Sequence, residues 1–172
     1  MKKSKRVSNS KRKYMSFRVG RIYPLHVTSS YNSSLRNYTL KLINNPKARN
    51  PTYAEVIAFL ALDKTDEIPY TEMFKCPSYG AVVHNNAEAL GIRCAYVHVS
   101  FQGEEFGHCC NAWATVDKGV VFTDSCGDPE IYTDNDKIVK IKAGEKYLAE
   151  SLTNKQVSWS DYGVVEDISV IW

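Results

Sequence analysis

No acidic residue occurs among the first 54 positions of this 172-residue chain, although the same stretch carries thirteen lysines and arginines. From residue 55 onward the balance reverses, with nine basic against nineteen acidic residues. Nine of the basic residues precede Pro24, in a stretch rich in serine and poor in bulky apolar groups. Such a segment cannot bury enough surface to offset its ordering entropy, so residues 1–20 are expected to form a basic flexible tail. A tail of that charge suits an anionic surface, whether nucleic acid, lipid or acidic polymer. The plainer and favoured reading is a solvated extension, or the remnant of a targeting or membrane segment, that binds nothing.

Other absences narrow the class. No apolar run approaches the roughly 20 residues that a membrane-spanning helix needs. The best, Ala54–Leu62, is about half that length and contains Glu55. No secretory apolar core follows the basic start, so the chain is expected to be soluble, with its compartment left open. The five cysteines, Cys76, Cys94, Cys109, Cys110 and Cys126, include no Cys-x-x-Cys pair. They are too few for a disulfide scaffold of this size and lack the close spacing of a zinc knuckle. Their odd number leaves at least one thiol free in a monomer. There is no internal repeat and no low-complexity segment beyond the tail.

What is present is globular in character, with 44% apolar and 12% aromatic residues. Residues 21–172 suffice for one domain with a hydrophobic core and are too few for two comfortable ones. The lead-in from Arg21 to Ile43 favours short extended pieces. Thr52 and Glu55 then form a T-x-x-E capping box ahead of a run, Tyr53–Leu62, with helical apolar spacing, and Pro69 forbids its continuation. A second helix is expected from Cys76, at its N-cap, to about Leu90. Pro77 suits the first helical position, Val82, Val83, Ala87 and Leu90 supply the apolar stripe, and Gly91 supplies the stop. The β-branched, aromatic run IRCAYVHVSF, residues 92–101, reads as a buried strand. A two-glycine loop leads to His108 and a further strand. Asp117-Lys118-Gly119 reads as a hairpin turn into Val120–Thr123, and later strands are expected at Ile138–Ile141 and Val164–Ile171. Helices first and a strand meander after them predict an α+β domain with an antiparallel sheet packed on the Cys76 helix.

The chemistry-bearing residues fall at the ends of these elements. A thiol becomes a nucleophile where its thiolate is favoured, and a helix N-terminus favours it through aligned peptide dipoles and unpaired amides. That distinguishes Cys76 from the other four cysteines, which lie in or beside strands where a thiol behaves as a small hydrophobe. A nucleophilic thiol needs a base, and the base needs a third group to hold its tautomer. Of the four histidines, His26 lies in the lead-in and His84 lies two turns down the Cys76 helix. His98 is mid-strand and reads as a packed core residue. His108 begins a strand after a glycine loop, and Asp124 ends the next strand. A turn centred on Lys118 sets Asp124 opposite Ala112, a few residues from His108. A bulge or an off-centre turn must close that gap.

Helix-start Cys, strand-start His and strand-end Asp, in that order, resemble the core of the transglutaminase-like (papain-related) superfamily. The stretch Cys76-Pro77-Ser78-Tyr79-Gly80 is similar to its Cys-x-x-Tyr/Phe-Ala signature, with Gly80 where a small residue, alanine in the signature, is usual. The segments HNNAEALGIRCAYVHVSF, His108-Cys109-Cys110-Asn111-Ala112-Trp113 and Val120-Val121-Phe122-Thr123-Asp124 resemble those of archaeal and bacterial transglutaminase-like proteins, as do NPTYAEVIAFLALDKTDEIPY and VVEDISVIW. The resemblance spans roughly residues 36–172. It implies a transglutaminase-like fold and a Cys76–His108–Asp124 triad that forms a thioester on a peptide, isopeptide or carboxamide bond. Hydrolysis is favoured over amine transfer, the substrate is a protein or peptide, and neither cofactor nor metal is needed. It also implies an oxyanion hole that includes the Cys76 amide, with a second donor unassigned. Trp113 reads first as a core residue, with a wall of the acyl pocket as the alternative. The departures are Gly80 and the vicinal Cys109-Cys110, which bear on regulation. Two other classes remain: an inactive binding domain of the same fold, and a metal protein drawing on Cys76, His84, Cys94, His98, His108, Cys109, Cys110 or Cys126.

Overall fold

The computed structural model describes residues 22–24, 40–127, 135–152 and 161–172; the basic tail expected over 1–20 lies outside them. In chain order the elements are β1 (Ile22–Pro24), β2 (Lys41–Ile43), α1 (Tyr53–Leu60), α2 (Cys76–Ala89), β3 (Ala95–Phe101), β4 (Gly107–Thr115), β5 (Gly119–Asp124), β6 (Lys137–Lys140), β7 (Leu148–Ser151) and β8 (Val165–Ile171). Strands β1 and β2 form a separate antiparallel pair. The others form one antiparallel sheet in the order β7-β6-β5-β4-β3-β8, so the domain is α+β with helices preceding a meander. Among the described residues no helix is long and apolar enough to cross a membrane.

Helix α1 begins where the capping box was read. The Thr52 hydroxyl accepts the Glu55 amide at 3.2 Å, and a Glu55 carboxylate oxygen accepts the Thr52 amide at 2.8 Å. Asp117, on the β4–β5 turn, accepts the Tyr53 amide at 2.7 Å, which ties the helix start to the sheet. Thr52→Ala is expected to lower stability by about 1 kcal/mol, read as a drop in the urea midpoint at unchanged slope.

Helix α2 starts one residue earlier than the sequence suggested. Lys75 is its N-cap, because the amides of Ser78 and Tyr79 both reach the Lys75 carbonyl. Cys76 therefore stands at the first helical position and Pro77 at the second. The other end follows expectation: Gly91 adopts φ 77°, and the Gly91 and Ile92 amides fold back onto the Glu88 and Ala87 carbonyls. Residues 92–94 are engaged elsewhere, the Arg93 amide donating to the Arg49 carbonyl at 2.8 Å and the Cys94 amide to a Glu88 carboxylate oxygen at 2.9 Å, which is why β3 begins at Ala95 and not at Ile92.

Residues alternate faces along β4. Cys109, Asn111 and Trp113 face the helices: Asn111 donates to the Gly80 carbonyl at 2.9 Å, and Trp113 packs with Phe59, Val83 and Ala87. Cys110 and Ala112 turn the other way, into a core shared with Val97, Val99, Val139, Tyr147 and Val165. The sheet curls around that core until its ends meet. The Tyr147 amide donates to the Gly163 carbonyl at 3.1 Å and the Val165 amide to the Glu145 carbonyl at 2.9 Å. Each fully buried aliphatic or aromatic side chain in these clusters contributes about 1.5–3 kcal/mol. Gly80 has a packing reason, since a Cβ there would lie 3.1 Å from the Tyr96 ring and 3.3 Å from the Cys110 carbonyl. A bare backbone at this point lets α2 lie close against the sheet.

The β4–β5 turn decides where Asp124 goes. Thr115 pairs with Gly119 and Asn111 with Thr123, so the turn centres on Asp117, one residue before Lys118. The Thr115 hydroxyl fixes it, accepting the Lys118 amide and donating to the Gly119 carbonyl. That one-residue shift carries Asp124 past Asn111 to the level of Cys110, on the same side of the sheet as His108 and diagonal to it. Diagonal neighbours lie about 7–8 Å apart, within reach of an imidazole and a carboxylate. No bulge is needed.

Candidate active site

The site forms at the rim of the curled sheet, where β4 begins, β5 ends and α2 presents its first turn. His108 Nε2 lies 3.0 Å from Asp124 Oδ2, and both side chains are buried. An ionised carboxylate only accepts, so Nε2 carries the proton shared with Asp124, and Nδ1 is left for the thiol. Asp124 is held from every side. Oδ2 also accepts from the Tyr147 hydroxyl at 3.2 Å, Oδ1 accepts the Cys126 amide at 2.8 Å, and Lys137 Nζ lies 3.9 Å from Oδ2. Burial by itself would raise this carboxyl. The charges of Lys137 and His108, with these hydrogen bonds, outweigh burial and hold it below the usual carboxylate range.

The imidazole shows the same contest. Burial opposes its charged form, but the charge and hydrogen bond of Asp124, reinforced by Cys76, lift His108 to about 10. Tyr162 stacks on the ring at 4.5 Å between centroids, and Tyr147 meets it edge-on at 5.7 Å. These rings keep water from the His108–Asp124 bond, which strengthens it.

Cys76 is half-buried against Leu42, Ala81, Tyr96 and Cys109. Hydrogen bonds with Cys109 first, then with His108 against the opposing effect of burial, bring its thiol down to about 5. The paired thiol of Cys109 moves the opposite way, well above its ordinary value, because it is hydrogen-bonded to Cys76 and buried. Cys109 therefore keeps its proton and donates it toward the Cys76 sulfur, while accepting from the Tyr96 hydroxyl at 2.9 Å. Cys110 lies on the other face of β4, so the vicinal cysteines cannot act as a pair. Burial also pushes the Cys110, Cys94 and Cys126 thiols up. Only Cys76 is shifted toward its thiolate among the five.

Not every expectation for the site holds. Trp113 does not line an acyl pocket: it is fully buried, its ring centroid is 5.5 Å from that of Phe59, and its indole N–H donates to the Thr123 hydroxyl at 2.8 Å. An odd-numbered β4 position two steps from Asn111 points under α2, away from the rim. His98 is not the packed core residue expected. It is half-buried, opposite Cys109 in register, and close enough to Cys76 and His108 for their charges to act on it, although burial keeps it neutral. A Cβ at Gly107 would lie 2.5 Å from His98 Nε2, so glycine there makes room for this second imidazole.

Sequence reasoning also passed over Tyr70 and Lys137. The Tyr70 phenol, kept protonated mainly by burial and then by the Cys76 charge, faces the Cys76 amide. Tyr79 braces it, stacking on the Tyr70 ring at 6.1 Å and donating its hydroxyl to the Ile68 carbonyl. No spacing rule points to either residue, since both reach the site only through the fold. Among the described residues no three His, Cys, Asp or Glu side chains are grouped to hold a metal ion. No family model, no curated protein and no solved structure matches the chain.

Proposed function

We propose that this chain is a cysteine-dependent acyl-transfer enzyme with a transglutaminase-like core, acting on a peptide, isopeptide or carboxamide bond. The observation that carries the reading is the buried His108–Asp124 pair, 3.0 Å apart, beside a thiol at the first turn of α2 whose affinity for its proton is lowered. Cys76 then attacks the substrate carbonyl as a thiolate, and His108 gives its Nδ1 proton to the departing amine as the C–N bond breaks. The resulting thioester is resolved by water, from which His108 takes a proton, and the thiolate is restored when the thioester C–S bond breaks. Hydrolysis is favoured over amine transfer because Cys76 is only half-buried, and water reaches an open thioester more readily than one in a dry tunnel. The Cys76 amide supplies one oxyanion donor, and Tyr70 supplies a hydroxyl beside it.

The pH dependence of Cys76 alkylation by iodoacetamide, read by peptide mass spectrometry, tests this. The rate is expected to rise with a midpoint near 5, against ~8.5 for a free thiol. A second rise follows near pH 10, where His108 loses its proton and frees the thiolate from its ion pair. A single midpoint near that of a free thiol, shared with the other cysteines, would leave the site without an activated nucleophile.

A further inference from the structure

A buried ammonium is one of the costliest groups a fold can carry, and it persists only where a charge or a full set of acceptors answers it. Lys137, the first residue of β6, is such a group, with a side chain only 4% exposed. Its Nζ donates to the Cys126 carbonyl at 3.0 Å and to the Asn135 carbonyl at 2.7 Å, and it lies 3.9 Å from Asp124 Oδ2. The frame around it is rigid, because the Asn135 amide and side chain are bonded to Asp66 at 3.0 and 3.1 Å. Two carbonyls alone do not call for a cation, since a neutral amide could span them at lower cost.

The adjacent buried Asp136 also feels this ammonium, but burial raises its carboxyl to about 7, and the groups facing Asp124 explain the charge. From β4 come His108 and Cys110, from the β6–β7 connection Tyr147, and from the segment before β8 Tyr162; Cys126 follows β5, and Lys137 opens β6. The two thiols and two phenols are all shifted toward their neutral forms, by burial above all. His108 and Lys137 are thus the cations among these groups, and His108 is the one that must gain and lose its proton. We propose that Lys137 is a positioning residue of the site: its ammonium holds Asp124 as a carboxylate throughout, and so fixes which nitrogen of His108 bonds Asp124 and which faces Cys76. This rests on the reading of Cys76, His108 and Asp124 as one reactive set, and it adds a fixed charge behind them that does not take part in proton transfer.

The experiment is a 13C carboxyl NMR titration of Asp124 in the full chain, in wild type and in Lys137→Gln and Lys137→Arg. Glutamine keeps a donor for the two carbonyls but removes the charge, whereas arginine keeps the charge. In wild type Asp124 is expected to titrate below the usual carboxylate range, and in Lys137→Gln its midpoint moves up by about two pH units. Lys137→Arg is expected to restore most of that shift. A folded Lys137→Gln protein with an unmoved Asp124 midpoint would overturn the inference and make Lys137 a strut between the ends of the β5–β6 connection. If Lys137→Gln does not fold, the double variant with Asp124→Asn decides. Removing both charges restores folding if charge pairing is the reason for Lys137, and leaves the chain unfolded if the strut is. The titration does not depend on thiol chemistry. An Asp124 shift beside an ordinary Cys76 alkylation profile would therefore uphold Lys137's hold on Asp124 while rejecting the proposed function.

Discussion

Cys76→Ala is expected to abolish acyl transfer, with turnover down by about 10⁴-fold or more, and to leave the fold intact. The loss is large because no neighbouring thiol can substitute. Cys109 is closest in chemistry, but burial alone still disfavours its thiolate once Cys76 is gone, and Cys110 and Cys126 are held as thiols by burial. The fold survives because the change removes one half-buried sulfur at the first position of a helix, where alanine is well tolerated. Its effect on stability should stay within about 1 kcal/mol. The check is turnover of a peptide or carboxamide substrate, measured beside the thermal midpoint of the same preparation. Residual activity in a folded Cys76→Ala protein would sink the nucleophile assignment.

Asp124→Asn is expected to lower kcat/KM by about 10²–10⁴-fold, a smaller loss than that of replacing His108. Asparagine fills the same volume and still offers an oxygen to His108 Nε2, but the carboxylate that lifts the imidazole to about 10 is gone. Burial then dominates and His108 falls to or below its ordinary value near 6.5. The alkaline limb of activity should move down from about 10 accordingly, while the acid limb, set near 5 by Cys76, moves up as its cationic partner weakens.

Stability follows the same pair. A histidine raised on folding contributes below 6.5 and loses that contribution as pH rises through about 10. A carboxylate lowered on folding contributes above about 4 and loses it as pH falls. The stability gap between wild type and Asp124→Asn should therefore be widest between about pH 4 and 6.5. An Asp124→Asn protein as active as wild type would pass the orienting role to Asp128, which lies outside the described residues.

Particular residues mark how far the sequence could be read. The Thr52–Glu55 box and Gly91 were legible because caps are local: a side chain bonds an amide three residues away, or a chain reverses through a positive φ. The α2 start was displaced by one residue, since either Lys75 or Cys76 can precede a proline in a first turn, and only the pattern of amide bonds chooses. Trp113 took the core role that the sequence also offered it, whereas His98 was misread, and one rule governs both. A strand residue's face depends on register, and a shift of one position exchanges core for rim.

The chain by itself determined the α+β class, the helix that begins at a cysteine, and the order of thiol, imidazole and carboxylate along it. These are matters of periodicity, capping and strand propensity, which act over a few residues. Tertiary structure decided the rest. The Thr115–Gly119 pairing set Asp124 diagonal to His108, and the packing of α2 placed Cys109 against Cys76. Curling of the sheet brought Tyr147 and Tyr162 over His108, and β6 delivered a buried ammonium to Asp124. Proton affinities depend on charge and burial within a few ångströms, and residues 76, 108, 124, 137 and 162 come within that distance only when the chain is folded.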